Sequence, residues 1–286
     1  MTQSRILVTG ASGQVGGAVV RRLRATGVPV RALVRRDTRF PTGVDAVRGD
    51  LADPASLGAA LTGIDAVFLV WPFLDARGAA ETIAEIARHA RRVVYLSSAG
   101  VGADGVNEAG PADPITSFHT ELERLVGASG LEWTALRPTG FAGNTLGWAP
   151  EIRAEGRVRA PLRALARPLI HEADTAAVAA RALTTDTLLG ARPLLTGPEP
   201  VTQERQVELI GEAIGRPLRF EELTQAEAVE RMRAAGWPAG LAETVVPAQA
   251  RMLDHPEPVT DTVERLTGTP AHSFRRWALD HAADFR

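Results

Sequence analysis

Cysteine is absent from the 286 residues, which removes disulfides, thiolate metal ligands and thiol nucleophiles together. Lysine is absent as well, so all 32 basic residues are arginine. No Schiff-base lysine, Walker-A lysine or lysine general acid can operate in such a chain. Tyrosine occurs once, as Tyr95. Long apolar runs are also missing: stretches such as Ala66–Phe73 fall far short of the roughly 18–20 residues that cross a bilayer. The net charge of −2 carries no basic excess, so neither nucleic acid nor a membrane is expected as a partner. Met1–Arg5 leads directly into an apolar run, so no leader is expected and the location read from the sequence is cytoplasmic.

What is present is an alternation of apolar runs and helical patterns. Arg5–Thr9 ends in glycines. Val15, Ala18, Val19 and Leu23 then recur at helical spacing, and Val30–Val34 is a second apolar run. This is the size of one βαβ unit. Further strands are expected at Val44–Val47, Ala66–Val70, Val93–Ser97 and Trp133–Arg137, with helices over Ala55–Leu61, Ala79–Ala90 and Thr116–Ala128. The pattern implies an α/β fold of Rossmann type, a doubly wound parallel sheet with right-handed crossovers. After about residue 140 the pattern changes. Helices are expected at Thr175–Thr184, Gln203–Ile214, Gln225–Ala235 and Ser273–Phe285, with short strands at Arg192–Leu195 and Leu218–Phe220. Pro238–Pro258 reads as irregular, with helical potential near Leu241–Met252. Residues 1–140 are thus expected to form a dinucleotide-binding domain. Residues 141–286 are expected to form a smaller C-terminal α/β substrate lobe, interleaved with the first domain and not an independent folding unit.

The strongest local signal is Thr9-Gly10-Ala11-Ser12-Gly13-Gln14-Val15-Gly16, placed between a strand and a helix. Gly10 suits the tight turn, Gly13 lets the backbone approach a pyrophosphate, and Gly16 allows close helix–strand packing. Ser12, Gln14 and Val15 complete the loop, whose amides would face the phosphates. The second strand ends in Arg35 and Arg36 before the first acid, Asp37. Arginine there accommodates the 2′-phosphate of NADP, so NADP(H) is the expected cofactor; the alternative is a solvated loop. Asp50 and Leu51, after the third strand, are expected to flank the adenine.

These stretches resemble the NmrA-like group of atypical short-chain dehydrogenases. So do Ser129-Gly130-Leu131, Leu136-Arg137-Pro138, Phe141 with Asn144, His171-Glu172-Ala173-Asp174, Leu195-Thr196-Gly197-Pro198-Glu199 and the terminal Phe274, Trp277, His281 and Phe285. The resemblance spans nearly the whole chain and is specific for the family rather than for one substrate. Members include quinone reductases, a triphenylmethane-dye reductase and nucleotide-sensing regulators. Where the wider superfamily carries its tyrosine and lysine, this chain aligns His119 and Glu123. Tyrosine–lysine catalysis is therefore excluded, and sugar-nucleotide epimerase chemistry is disfavoured. The resemblance to the quinone-reductase branch implies such a His-x-x-x-Glu pair; histidine titrates near neutrality and is a candidate proton donor, and Glu123 would hold its orientation or simply cap a nearby backbone. An ordinary helical pair is the alternative, since the two share one helix face.

Ser97 ends the fifth strand, where substrate or the nicotinamide ribose would lie, or it is simply a strand-ending serine. The resemblance places the loop containing Pro138 and Phe141 beside the nicotinamide ring. Trp71, Pro72, Asn144 and Trp148 are candidates for the substrate pocket, with core packing the alternative for Trp71, Phe141 and Trp148. His171, Glu172 and Asp174 are read as structural, and no metal site is expected. The function expected is an NADPH-dependent reductase passing hydride to a quinone, enone or similar conjugated small molecule. The alternative is a non-catalytic NADP(H) sensor that binds a protein. A homodimer is left open.

Overall fold

A computed structural model describes residues 5–102, 114–238 and 240–286. Met1–Ser4, ahead of the first strand, and Ala239, inside the Pro238–Pro258 stretch, lie outside the described residues. The first half runs β1 (Ile6–Val8), α1 (Gln14–Ala25), β2 (Val30–Val34), β3 (Val44–Arg48), α2 (Gly58–Leu61), β4 (Ala66–Leu69), α3 (Ala79–His89), β5 (Arg92–Leu96), α4 (Pro114–Ala128) and β6 (Glu132–Pro138). The second half runs α5 (Ala149–Glu155), β7 (Arg157–Ala160), β8 (Ala166–Arg167), α6 (Glu172–Thr184), β9 (Leu194–Leu195), β10 (Val201–Thr202), α7 (Gln203–Ile214), β11 (Arg219–Glu222), α8 (Gln225–Ala234), α9 (Leu241–Arg251), α10 (Thr262–Thr267) and α11 (Phe274–Asp280).

Seven parallel strands form one sheet in the order β3-β2-β1-β4-β5-β6-β9. The winding direction reverses at β1, where Ile6 pairs with Val30 on one side and Ala66 on the other. Ligands of such sheets bind at the carboxyl ends of the strands flanking this switch point. β1, β2, β4 and β5 are buried along their whole length, as apolar strands covered on both faces must be. β3 is an edge strand and is mostly exposed. One core packs α1 and α6 on the sheet through Val19, Leu23, Val178 and Leu183. The other packs α3 and α4 through Ile83, Ile86, Leu122 and Val126.

Three arginines are buried within this sheet, and all three are satisfied; Arg137 reaches Glu123 and the carbonyl of Gly102. Arg31 reaches Asp45 and the carbonyls of Ala59, Ala60 and Thr62. Arg92 reaches Glu132, Asp186 and the carbonyls of Ala182 and Thr185.

Three elements beyond residue 140 pack with the sheet or its first core. α6 lies in the same core as α1, and α10 joins it through Val263. β9 extends the sheet beside β6, and Thr139 N–H donates to Leu195 O at 2.9 Å. α5, β7, β10, α7 and α11 gather around a third core that includes Ile152, Val158, Ile210, Phe274 and Trp277. Its strands pair as two short ribbons, β7 with β11 and β8 with β10. β7, β8, β10, α5 and α10 are not anticipated by the sequence reading. The two-residue strands are too short to carry a period.

Candidate active site

The glycine loop sits at the switch point. Thr9 Oγ1 accepts from Val70 N at 2.7 Å and donates to Val70 O at 3.1 Å, tying the ends of β1 and β4 together. Gly10 follows with φ of 61°, in the left-handed region that favours glycine. A Cβ on Gly16 would stand 2.2 Å from Gly10 O, so no side chain fits there without moving the turn. Gly13 caps α1, whose first turn carries no acidic residue and no side-chain cap. Ser12, Gly13 and Gln14 are exposed around this helix start, and Val15 turns into the core. An uncapped helix N-terminus in a side-chain-free cradle fits a pyrophosphate, which would take its hydrogen bonds from these amides.

Arg35 and Arg36 are exposed at the end of β2, and neither guanidinium has a partner among the described residues. This separates them from Arg31, which is spent on the fold. Asp50 Oδ1 accepts from Ala52 N at 2.9 Å and closes its own turn. Leu51 is buried in the core behind α3, and its carbonyl accepts from Thr82.

The His119–Glu123 arrangement departs from a simple helical pair. Glu123 is 4% exposed and accepts both arms of Arg137, at 2.9 and 2.7 Å. It also accepts from Ser97 Oγ at 2.5 Å and from Arg192 Nε at 3.0 Å. The Glu123 carboxylate and the Ser97 hydroxyl are therefore engaged with each other and with two arginines. Arg137 on β6 and Arg192 just ahead of β9 thus hold this carboxylate. Tyr95 Oη lies 2.5 Å from His119 Nδ1. Burial, aided by the Glu123 charge, pushes the Tyr95 phenol far above its usual range, so it stays protonated. Sequence reasoning missed Tyr95, Arg137 and Arg192 as partners. The available signal was the lone tyrosine in β5, the strand preceding α4.

Trp71 and Pro72 separate. Trp71 is buried in the core, with its indole N–H on Asp75 O at 2.7 Å, and Pro72 is exposed. Phe141, Asn144 and Trp148 come together instead. They line a cleft of about 310 Å³, covered by Met232 of α8, Trp237 of the loop after it and Val246 of α9. Gln14 Nε2 of the glycine loop donates to Gly143 O at 3.2 Å, next to the lining residue Asn144. A Cβ on Gly143 would collide with that side chain. Gln14 thus stitches the loop to the turn that carries the cleft's inner wall. Pro138 is buried at the end of β6, and its carbonyl accepts from Ala99 N at 2.9 Å.

A family model described as NAD(P)H-binding matches residues 10–186, more than half of the chain. The chain belongs to this NAD(P)H-binding family. Among its relatives, a (4-alkanoyl-5-oxo-2,5-dihydrofuran-3-yl)methyl phosphate reductase of Streptomyces griseus is 40% identical, over 98% of this chain and 99% of that one. An NAD(P)H azoreductase of Xenophilus azovorans is 34% identical over 98% of this chain and 99% of its own. Among solved structures, the triphenylmethane reductase of Citrobacter sp. complexed with NADP(H) matches at a TM-score of 0.76 and 21% identity, covering 97% and 99% of the two chains. At that identity the likeness shows a shared fold. These relatives agree with the NmrA-like resemblance read from the sequence.

The NAD(P)H-binding match ends at residue 186, and a polar clasp docks the C-terminal helix beyond it. Glu172 accepts from Trp277 Nε1 at 3.1 Å and contacts His281 Nε2 at 2.7 Å. Asp174 holds His272 through its ring and its backbone N–H. His171 caps α6, accepting from Ala173 N at 3.1 Å. Burial alone would raise the Glu172 pKa, but the imidazoles of His171 and His281 outweigh it and hold the carboxyl well below its ordinary range. Its hydrogen bond with Glu172 in turn raises His281. Among the described residues no group of side chains is arranged to hold a metal ion, and no helix is long and apolar enough to cross a membrane.

Proposed function

We propose that the protein is an NADPH-dependent reductase of a conjugated small molecule, an enone or quinone. The observation that carries this reading is the junction at Gln14. It joins a side-chain-free phosphate cradle to an apolar cleft within one stretch of chain, Phe141–Trp148. The named relatives are reductases, and one acts on a molecule whose name joins an oxo-dihydrofuran, an alkanoyl group and a methyl phosphate. Arg35 and Arg36 supply free guanidiniums for a 2′-phosphate, which favours NADPH over NADH.

Bound NADPH supplies the hydride. The residues of this chain position the acceptor and exclude water around it. For an enone, hydride adds to the β-carbon, the π pair moves to the carbonyl oxygen, and the α-carbon takes a proton. We infer that Tyr95 Oη, 2.5 Å from His119 Nδ1, sets the tautomer of the imidazole and that His119 supplies the proton. Glu123 and Ser97 hold β5, α4 and β6 in register rather than touching substrate.

The test is NADPH oxidation by the purified protein against a panel of quinones and enones, with NADH alongside. Turnover preferring NADPH supports the reading. NADPH binding with no turnover across the panel would turn it toward the sensor.

A further inference from the structure

The charged side chains lining the cleft are all arginine: Arg159, Arg167 and Arg231, with no carboxylate on its described wall. Glu151 is shared by two of them, accepting from Arg159 Nε and, at 3.1 Å, from Arg231 Nη2. Glu155 reaches Arg159 only at 3.4 Å. Arg167 gives Nε and Nη2 to Glu257, each at 2.8 Å. Each guanidinium therefore keeps N–H groups with no partner among the described residues, while its carboxylate stays off the cleft wall. The rest of the wall is mostly apolar and aromatic, including Trp148, Met232, Trp237 and Val246, with neutral amides such as Asn144, Gln203 and Gln249 among them. An apolar cleft with forked cationic donors and no lining acid matches a molecule with an apolar body and a dianionic group.

We propose that the acceptor is a phosphate monoester, with its phosphate held by Arg159 and Arg231 at the α8 side of the cleft. This rests on the reductase reading and narrows its substrate class. Arg231 stands on α8 and Arg159 on β7, so phosphate would bridge the cover to the lobe beneath it. The apolar arm of the acceptor lies against Met232 and Trp237. The reacting carbons lie toward Phe141, the wall nearest the glycine loop.

The experiment compares a (4-acyl-5-oxo-2,5-dihydrofuran-3-yl)methyl phosphate with its dephosphorylated alcohol as acceptors for NADPH. It uses the full chain and the variants R231Q and R159Q, each checked for an unchanged melting profile. The phosphate ester should be favoured in kcat/KM by at least about tenfold, the weight of one charge-assisted hydrogen bond. Either variant should bring the phosphate-to-alcohol ratio toward one, mainly through KM. Equal kcat/KM for the alcohol and the ester would overturn the inference and leave the reductase standing. If neither is reduced, calorimetry of the ester with the NADP-loaded protein decides. Binding weakened by R231Q would support the phosphate site and count against the reductase. No binding would overturn the phosphate site.

Discussion

Tyr95 Oη and His119 Nδ1 face each other at 2.5 Å, across the space between β5 and α4. The phenol is buried and remains protonated, and which of the two atoms donates is set by the imidazole tautomer. Y95F removes this contact, and the tautomer balance of the imidazole should shift. Turnover should fall about tenfold, the weight of one hydrogen bond, while NADPH affinity holds. Nitrogen NMR of the histidine should pass from one tautomer to a mixture. A single unshifted tautomer in Y95F would remove the positioning role, and an unchanged rate in H119F would remove His119 from the reaction.

Arg35 has no partner to lose among the described residues, so R35A should leave stability within about 0.5 kcal/mol of the parent. NADPH affinity should drop by about tenfold or more, with NADH affinity nearly unchanged. Fluorescence titration of both nucleotides checks this. Equal losses would show that Arg35 does not contact the 2′-phosphate.

Gly16 is enclosed by the Gly10 carbonyl. G16A forces a methyl into that contact and should cost about 1–3 kcal/mol by overpacking. Because the displaced backbone is the phosphate cradle, cofactor affinity should fall as well. Melting curves with and without NADPH separate the two effects.

Glu123 neutralises Arg137 in a nearly closed environment. E123A strands a buried guanidinium and should destabilise the protein by about 3–5 kcal/mol. The readout is the urea midpoint. Loss of turnover without loss of stability would restore Glu123 as a catalytic residue.

The C-terminal clasp should depend on pH. Glu172 is depressed, so its contribution is present above the ordinary value of 4.5 and is lost as pH falls through its folded value. His281 is raised, so its contribution is full below 6.5 and is lost as pH rises through its folded value. Both act fully between those limits. The stability gap between wild type and H281Q should be widest there and should shrink as pH climbs. A gap independent of pH would mean that His281 only packs against Trp277.

The sheet was legible because β1 and β4 are apolar on both faces, and the loop because Gly10 and Gly16 each meet a steric demand. Gln203–Ile214 was legible through its helical period, and the structure ends it at Gly215 in the left-handed conformation. The Tyr95–His119 contact was not legible, since it depends on how α4 crosses β5 and no local period records that. The partners of Glu123 were hidden for a related reason: its helix spacing to His119 is visible in the chain, but Arg137 and Arg192 arrive from other elements. Trp71 and Trp148 could not be told apart from composition, and only packing sent one to the core and the other to the cleft.

The outer edge of β6 is covered by a segment that lies more than fifty residues downstream, with Arg137 N–H on Pro193 O and Thr139 N–H on Leu195 O. A chain emerging from the ribosome would therefore present β1 through β6 with one flank unpaired until that segment arrived. During that interval the nascent sheet offers an open template to any other extended strand. Arg192, in the same segment, brings a charge to Glu123 as the edge closes. Completion of the sheet and neutralisation of its buried network become one event, late in synthesis.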